Sequence, residues 1–256
     1  MGMFTGVVYS EKLHMLTTLA VVLPQDAKPW RLGKTTPKLR TLILLHGLSD
    51  NWAAWPYRSR IMTYAEEHYV AVLMPEVGRG FYQDMVYGEQ YFSFVSEELP
   101  ELAHSMFCVP VDPESLMVAG LSMGGYGAMR CALTHPERYL AAGAFSSACW
   151  IEPLLTAPAG EDPFGLRPMI LGMFGDPPRV PDEAKLEVLA ERAKGHPMPL
   201  MMTCGTEDPL YPGNVTMFEA YKKAGLNVTF DAWPGVHEWG FWDKSIEMFL
   251  DRFAKV

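Results

Sequence analysis

Residues 116–128 read Leu-Met-Val-Ala-Gly-Leu-Ser-Met-Gly-Gly-Tyr-Gly-Ala and contain Gly-x-Ser-x-Gly at Gly120, Ser122 and Gly124. The flanks give the motif its meaning. Leu116 to Ala119 is a short apolar run, the pattern of a buried strand. Tyr126 to Leu133 is rich in Ala, Met and Leu, which favour a helix. A serine on a sharp strand-to-helix turn is lifted clear of a sheet with its backbone strained. Gly120 and Gly124 then stand where a Cβ would clash with the neighbouring strand and helix. The free N–H groups of the helix N-terminus face any anion formed at that serine. These features make Ser122 a candidate nucleophile.

A serine hydroxyl is a weak nucleophile alone, so a base and an orienting acid are required elsewhere. For a strand-turn-helix serine the expected chain order is Ser, then Asp or Glu, then His. Of seven histidines, only His135, His196 and His237 follow Ser122. His135 precedes Pro136 at the end of the serine helix, where a histidine caps the last carbonyls. His196 precedes a proline and leads into a strand, which suits a surface linker. His237 lies in Trp-Pro-Gly-Val-His-Glu-Trp-Gly, after the strand-like run Asn227 to Trp233 and at the start of the last helix. It is the expected base, with His196 second. Pro199 to Thr203 reads as the strand that should deliver the acid, and Cys204 to Pro209 turns away from it. Asp208 is the expected acid. Glu207 should point elsewhere, and Asp231 falls on the solvent face of the next strand.

An oxyanion site completes such a centre. Leu42 to Leu45 reads as a buried strand entering His46-Gly47-Leu48, where a glycine permits close backbone approach. The N–H groups of Leu48 and Met123 should converge on the tetrahedral oxygen. His46 reads as structural, holding Gly47 and Leu48 in place.

At 256 residues the chain suffices for one large core, so a single domain over 1–256 is expected. Hydrophobic residues make up 49%, and mean hydropathy is near zero, as in ordinary globular proteins. The net charge of −9, from 21 basic and 30 acidic residues, argues against nucleic acid and anionic membrane as partners. The four cysteines, Cys108, Cys131, Cys149 and Cys204, form no Cys-x-x-Cys, and no zinc-type spacing occurs. Neither metal nor cofactor is therefore expected. Met1 to Ser10 lacks the pattern of a signal peptide, and no long apolar run suggests a membrane span. A cytoplasmic location is the resulting expectation.

Along the chain, Phe4 to Ser10 and Lys12 to Leu23 read as two strands joined by a tight turn. Pro24 to Lys38 reads as a surface loop. Strands are expected at Thr41 to Leu45, Tyr69 to Met74 and Leu140 to Ser147. Helices are expected at Ser59 to Glu67, Tyr91 to Met106, Glu183 to Lys194, Asn214 to Ala224 and Trp239 to Ala254. Glu76 to Gln90 and Trp150 to Pro181 show little periodicity. Strands alternating with helices imply a mainly parallel sheet covered on both faces. The second irregular stretch, roughly 150–182, is expected as a loop-rich insertion over the site, too short for a large amphipathic lid. Trp52, Tyr82, Trp150 and Trp239 are candidate walls of a substrate pocket, since each sits on a loop expected near the C-terminal edge of the sheet.

Four stretches together resemble a known family: Leu44 to Trp52, Met74 to Met85, Phe94 to Pro100 and Gly120 to Ala128. They are similar to the tributyrin esterase branch of the esterase D group of α/β-hydrolases, which also holds S-formylglutathione hydrolases and some acetyl-xylan and feruloyl esterases. The likeness spans nearly the whole chain. It implies an α/β-hydrolase fold with an eight-stranded, mainly parallel sheet and a short cap insertion. It also implies a short-chain carboxylesterase with Ser122, Asp208 and His237 as triad, and a dimer or tetramer. The family loop ending in an aromatic-flanked histidine is matched by Gly235-Val236-His237-Glu238-Trp239. The formylglutathione branch usually has histidine where Tyr126 stands. Three functions are therefore carried forward: an esterase acting on acetyl to butyryl esters, including those of sugar oligomers, a glutathione thioesterase, and a non-catalytic scaffold.

Overall fold

The computed structural model describes residues 1–25, 38–155 and 165–254. Most of the expected Pro24–Lys38 loop and the middle of the 150–182 insertion lie outside the described residues. One eight-stranded sheet organises the rest, in the order β1-β2-β4-β3-β5-β6-β7-β8. The strands are β1 (Gly2–Ser10), β2 (Met15–Leu23), β3 (Arg40–Leu45), β4 (Val70–Pro75), β5 (Leu116–Leu121), β6 (Ala141–Phe145), β7 (Leu200–Gly205) and β8 (Val228–Trp233). β1 and β2 form an antiparallel hairpin in which Ser10 faces Met15, and β2 runs antiparallel to β4. All pairings from β4 through β8 are parallel. This is the α/β-hydrolase arrangement.

The central strands are apolar throughout because helices cover both faces. Their alternation divides the core in two. Ile43, Leu45, Val118 and Met202 point into one cluster, while Leu42, Leu44, Met117 and Met201 point into the other. Two helices near the N-terminal half, α1 (Ala54–Arg58) and α2 (Ile61–His68), belong to the second face, with Trp55, Ile61 and Tyr64 buried there. The next segment enters through a π-turn at Phe94–Glu98 and becomes α3 (Leu99–Phe107), on the first face. The helix that follows Ser122, α4 (Met123–Thr134), packs there too. So do α5 (Leu166–Phe174), α6 (Leu186–Arg192) and α7 (Tyr211–Lys223). The last helix, α8 (Trp239–Phe253), returns to the second face and buries Phe241, Ile246 and Phe249.

Three expectations need correction. The stretch expected to be loop-rich contains α5 and a helical turn at Glu152–Leu155. Met169, Ile170, Met173 and Phe174 bury one side of α5, and that packing overrides the helix-weakening Gly172, while Pro168 lies in the first turn, where its missing N–H has no intrahelical partner to lose. Helix α4 starts at Met123 rather than Tyr126, because Gly124 and Gly125 are needed for close approach and not for propensity. At its C-terminus the His135 backbone N–H, not its ring, reaches the Cys131 carbonyl at 3.0 Å. The His135 ring stacks on Phe92 instead, with centroids 6.2 Å apart and planes at 12°. Among the described residues, no helix is long and apolar enough to cross a membrane, and no group of His, Cys, Asp and Glu could hold a metal ion.

Candidate active site

Ser122 sits between β5 and α4 with φ 52° and ψ −115°, a conformation that L-residues rarely adopt. Its backbone is pinned on both sides. The N–H donates to the Phe145 carbonyl at 2.8 Å, and the carbonyl accepts from Tyr126 and Ala148 N–H at 3.1 Å each. The flanking glycines make this packing possible. A Cβ on Gly120 would stand 2.4 Å from the Gly124 oxygen, and one on Gly124 would stand 2.4 Å from the Leu45 oxygen.

His237 follows β8, and Asp208 follows β7. The neighbouring strands bring both to the serine at the C-terminal edge of the sheet. His237 Nδ1 lies 2.8 Å from Asp208 Oδ2, and Nε2 lies 3.1 Å from Ser122 Oγ. An ionised carboxylate only accepts, so Nδ1 carries the proton and Nε2 is free to accept from the serine hydroxyl. Asp208 is fully shielded from solvent. That burial alone would raise its pKa. Hydrogen bonds from His237 and from the Leu210 N–H (2.8 Å) outweigh it and hold the carboxyl below its ordinary value. His196, the second candidate base, lies elsewhere; its Nδ1 accepts from the Met198 N–H at 3.3 Å. Asp231 pairs with Arg252 at 3.0 Å.

The loop after β3 is held by its carbonyl groups. Trp55 donates its indole N–H to the Leu45 oxygen at 3.0 Å, and the Tyr82 hydroxyl donates to the His46 oxygen at 2.9 Å. Gly47 oxygen lies 2.8 Å from His46 Nδ1 and accepts from the Asp50 N–H at 3.2 Å. The His46 Nε2 accepts from Val77 N–H at 3.2 Å, so the proton sits on Nδ1. Burial keeps His46 below its ordinary pKa despite the carboxylates of Glu76 and Asp50, and a neutral ring is what both bonds require. With the carbonyls occupied, the N–H of Leu48 is left over. Among the described residues neither it nor the Met123 N–H at the start of α4 has an acceptor.

The aromatic candidates separate. Trp239 is half-buried and packs edge-on against Trp55 and Trp242, with centroids 5.3 Å apart in each case. Trp242 in turn meets the His237 ring edge-on at 4.8 Å. Trp150 is half-buried and spends its indole N–H on the Gly213 carbonyl at 3.1 Å. Trp52 is half-buried beside the loop after β3, its backbone N–H donating to Glu76 at 3.2 Å. Tyr82 is not a pocket wall. It is fully buried, with φ 52°, and it props the His46 carbonyl from below.

Sequence reasoning missed two supporting residues. Glu207 accepts from the Gly235 N–H at 2.6 Å, while its own N–H donates to the Gly235 carbonyl at 3.1 Å. These bonds latch the acid turn to the histidine loop. Buried Asn214 on α7 accepts from the Ser147 N–H at 3.2 Å and donates to the Ser147 carbonyl at 2.9 Å, fixing the backbone that follows β6. A lone asparagine inside a helix pattern was the available signal.

Comparison with known proteins identifies the family. The Esterase family model, described as "Putative esterase", matches residues 10–252. An acetyl esterase of Caldicellulosiruptor saccharolyticus is 32% identical over 97% of this chain and 96% of its own length. The S-formylglutathione hydrolase of Bos taurus is 31% identical over 60% of this chain and 61% of its own length. The substrate-bound structure of FphF, a fluorophosphonate-binding serine hydrolase of Staphylococcus aureus, superposes with a TM-score of 0.86 at 28% identity and covers 100% of this chain and 99% of that one. A family match of that extent, on an α/β-hydrolase sheet, makes this chain a member of the Esterase family and a carboxylic ester hydrolase.

Proposed function

We propose that the chain hydrolyses short-chain acyl esters, acetyl to butyryl, through a Ser122-His237-Asp208 relay and an acyl-enzyme. The observation that carries this reading is the continuous hydrogen-bonded line from Asp208 Oδ2 through His237 to Ser122 Oγ. His237 takes the serine proton as Ser122 attacks the ester carbonyl and returns it to the leaving alcohol. Asp208 holds the tautomer and stabilises the imidazolium. Water, deprotonated by His237, then releases the acid. The free N–H groups of Leu48 and Met123 receive the developing oxyanion, each worth about 3 kcal/mol in the transition state. No metal or organic cofactor enters any step.

The acetyl esterase relative supports acetyl esters as substrates, and acetylated sugar oligomers are the natural substrate proposed within that class. A second reading, hydrolysis of a glutathione thioester, draws on the S-formylglutathione hydrolase relatives. We further propose that the chain acts as one domain in a dimer or tetramer, takes a small-molecule substrate, and works in the cytoplasm, where its four free thiols stay reduced.

The test is hydrolysis of p-nitrophenyl acetate, butyrate and octanoate by wild type and Ser122→Ala. The expected result is a preference for the short chains and a loss of ~10³-fold or more in the variant. Equal rates in the two proteins would remove the serine mechanism. Rapid turnover of S-formylglutathione with slow ester hydrolysis would favour the second reading.

A further inference from the structure

A cavity of about 310 Å³ opens between the loop after β3 and helix α1, lined by Ser49, Asp50, Asn51, Ala53, Tyr57 and Arg58 among others. It adjoins the nucleophile. A point at the Cβ position of Gly47 lies 3.4 Å from Asp50 Oδ2 and 3.8 Å from Ser122 Cβ, so one glycine separates the carboxylate from the serine. On its other side, the Arg58 guanidinium lies 5.7 Å from the ring centroid of Trp239, two residues beyond His237. Between these limits the Asn51 amide oxygen accepts from the Ala53 N–H at 2.9 Å, which leaves its NH2 free to donate. Among the described residues, the Asp50 carboxylate has neither a hydrogen bond nor an ion pair, although it is half-buried. Leaving such a group unpaired is costly, and a ligand that donates to it recovers the cost.

Resting on the esterase reading above, we propose that this cavity is the alcohol-side subsite and that it takes a neutral, polyhydroxylated leaving group, a sugar ring. Three features select that class. Asp50 and Arg58 carry opposite charges that cancel, which suits a neutral ligand better than the anionic glutathione chain. Carboxylate, amide and guanidinium are the donors and acceptors that adjacent hydroxyls engage in pairs. Tyr57 is 81% exposed and offers a flat face on which the C–H side of a pyranose stacks. A hydrocarbon acyl chain would gain nothing from these groups. Burial raises the Asp50 pKa, with the Arg58 charge opposing the shift, so the carboxylate gains from a donor delivered by the substrate.

The experiment compares wild type, Asp50→Asn and Arg58→Gln on a mono-O-acetylated methyl xyloside, p-nitrophenyl acetate and S-acetylglutathione. The expected result is a fall of about 10- to 100-fold in the ratio of kcat/KM for the xyloside to that for p-nitrophenyl acetate, carried mainly by KM. An unchanged ratio overturns the proposal, whether both substrates fall together or neither falls. A selective loss on S-acetylglutathione overturns the neutral-sugar assignment. Binding of the acetylated xyloside to Ser122→Ala, with and without Asp50→Asn, supplies a readout independent of turnover. Loss of binding on adding Asp50→Asn supports the subsite, and equal binding refutes it. Wild type inactive on p-nitrophenyl acetate would instead count against the esterase reading, with the binding arm still deciding the subsite.

Discussion

Gly124→Ala is the substitution that most directly tests how the fold makes the site. The added methyl carbon would lie 2.4 Å from the Leu45 oxygen, 2.7 Å from the His46 oxygen and 2.7 Å from the Leu45 carbonyl carbon. All three are backbone atoms, so no side chain can rotate away. Either α4 lifts off β3, or β3 and the loop after it move. Overpacking of this kind costs about 3 kcal/mol, at the upper end of its usual range. For a chain of this size that is a fall in Tm of roughly 6–12 °C. The displaced loop carries Leu48, and a shift of about 1 Å in such a donor costs on the order of 100-fold in kcat. The assay is thermal unfolding followed by circular dichroism, with kcat on p-nitrophenyl butyrate measured well below the transition. Gly6→Ala is the control. It lies on exposed β1 with nothing within 4 Å of its Cβ position, and its Tm should be unchanged or slightly raised. If Gly124→Ala melts within about 2 °C of wild type and keeps its kcat, the close strand–helix approach is not what positions the oxyanion loop.

Asp208→Asn should lower kcat by about 10³-fold or more with little change in KM, since the carboxylate acts through the imidazole and not on substrate. Its depressed pKa also predicts an acid signature. A carboxyl held below its ordinary value of 3.8 adds stability above that value and loses it as pH falls through the folded pKa. The urea midpoint of wild type should therefore drop toward that of Asp208→Asn below about pH 4, and parallel curves would contradict the assignment. Iodoacetamide should label exposed Cys108 first in the native protein. Burial pushes the thiols of Cys131, Cys149 and Cys204 up to about 12, so rapid native labelling of any of these would contradict their burial.

Strands β3 to β7 were legible because they are buried on both faces and read as apolar runs, whereas the edge strand β8 is only partly buried. The hydrogen-bonded line proposed as the relay was legible because chain order and strand ends constrain it. Ser122, Asp208 and His237 each fall just past a strand that the sequence pattern locates within a residue or two. The aromatic residues were not legible in the same way. Tyr82 sits in a stretch without periodicity, and Phe81 and Tyr82 both take positive φ, near 50°. That turn sends Tyr82 inward to pack against Gly127, where a Cβ would stand 2.5 Å from the tyrosine ring. Only a long-range contact specifies it, and no local signal encodes the contact. Helix α5 failed for a different reason: its apolar spacing is present, but Pro168 and Gly172 mask it.

Glu207 and Asp208 compete for one role in the sequence, and the fold gives each its own. Asp208 turns inward to the imidazole, whereas Glu207 turns along the surface to the Gly235 backbone. The difference matters because His237 is the least enclosed member of the relay, its side chain 32% exposed on a loop. A single hydrogen bond to Asp208 would fix the ring's rotation and leave the loop free to drift. The paired bonds between Glu207 and Gly235 tie that loop to the turn carrying Asp208, and the close approach of Gly205 leaves no room for either to slide. The Gly235 N–H holds the Glu207 carboxyl below its ordinary pKa. Acid and base thus move as one unit, and the 3.1 Å gap to Ser122 is set by the junction of two strands with the nucleophile turn rather than by any one side chain.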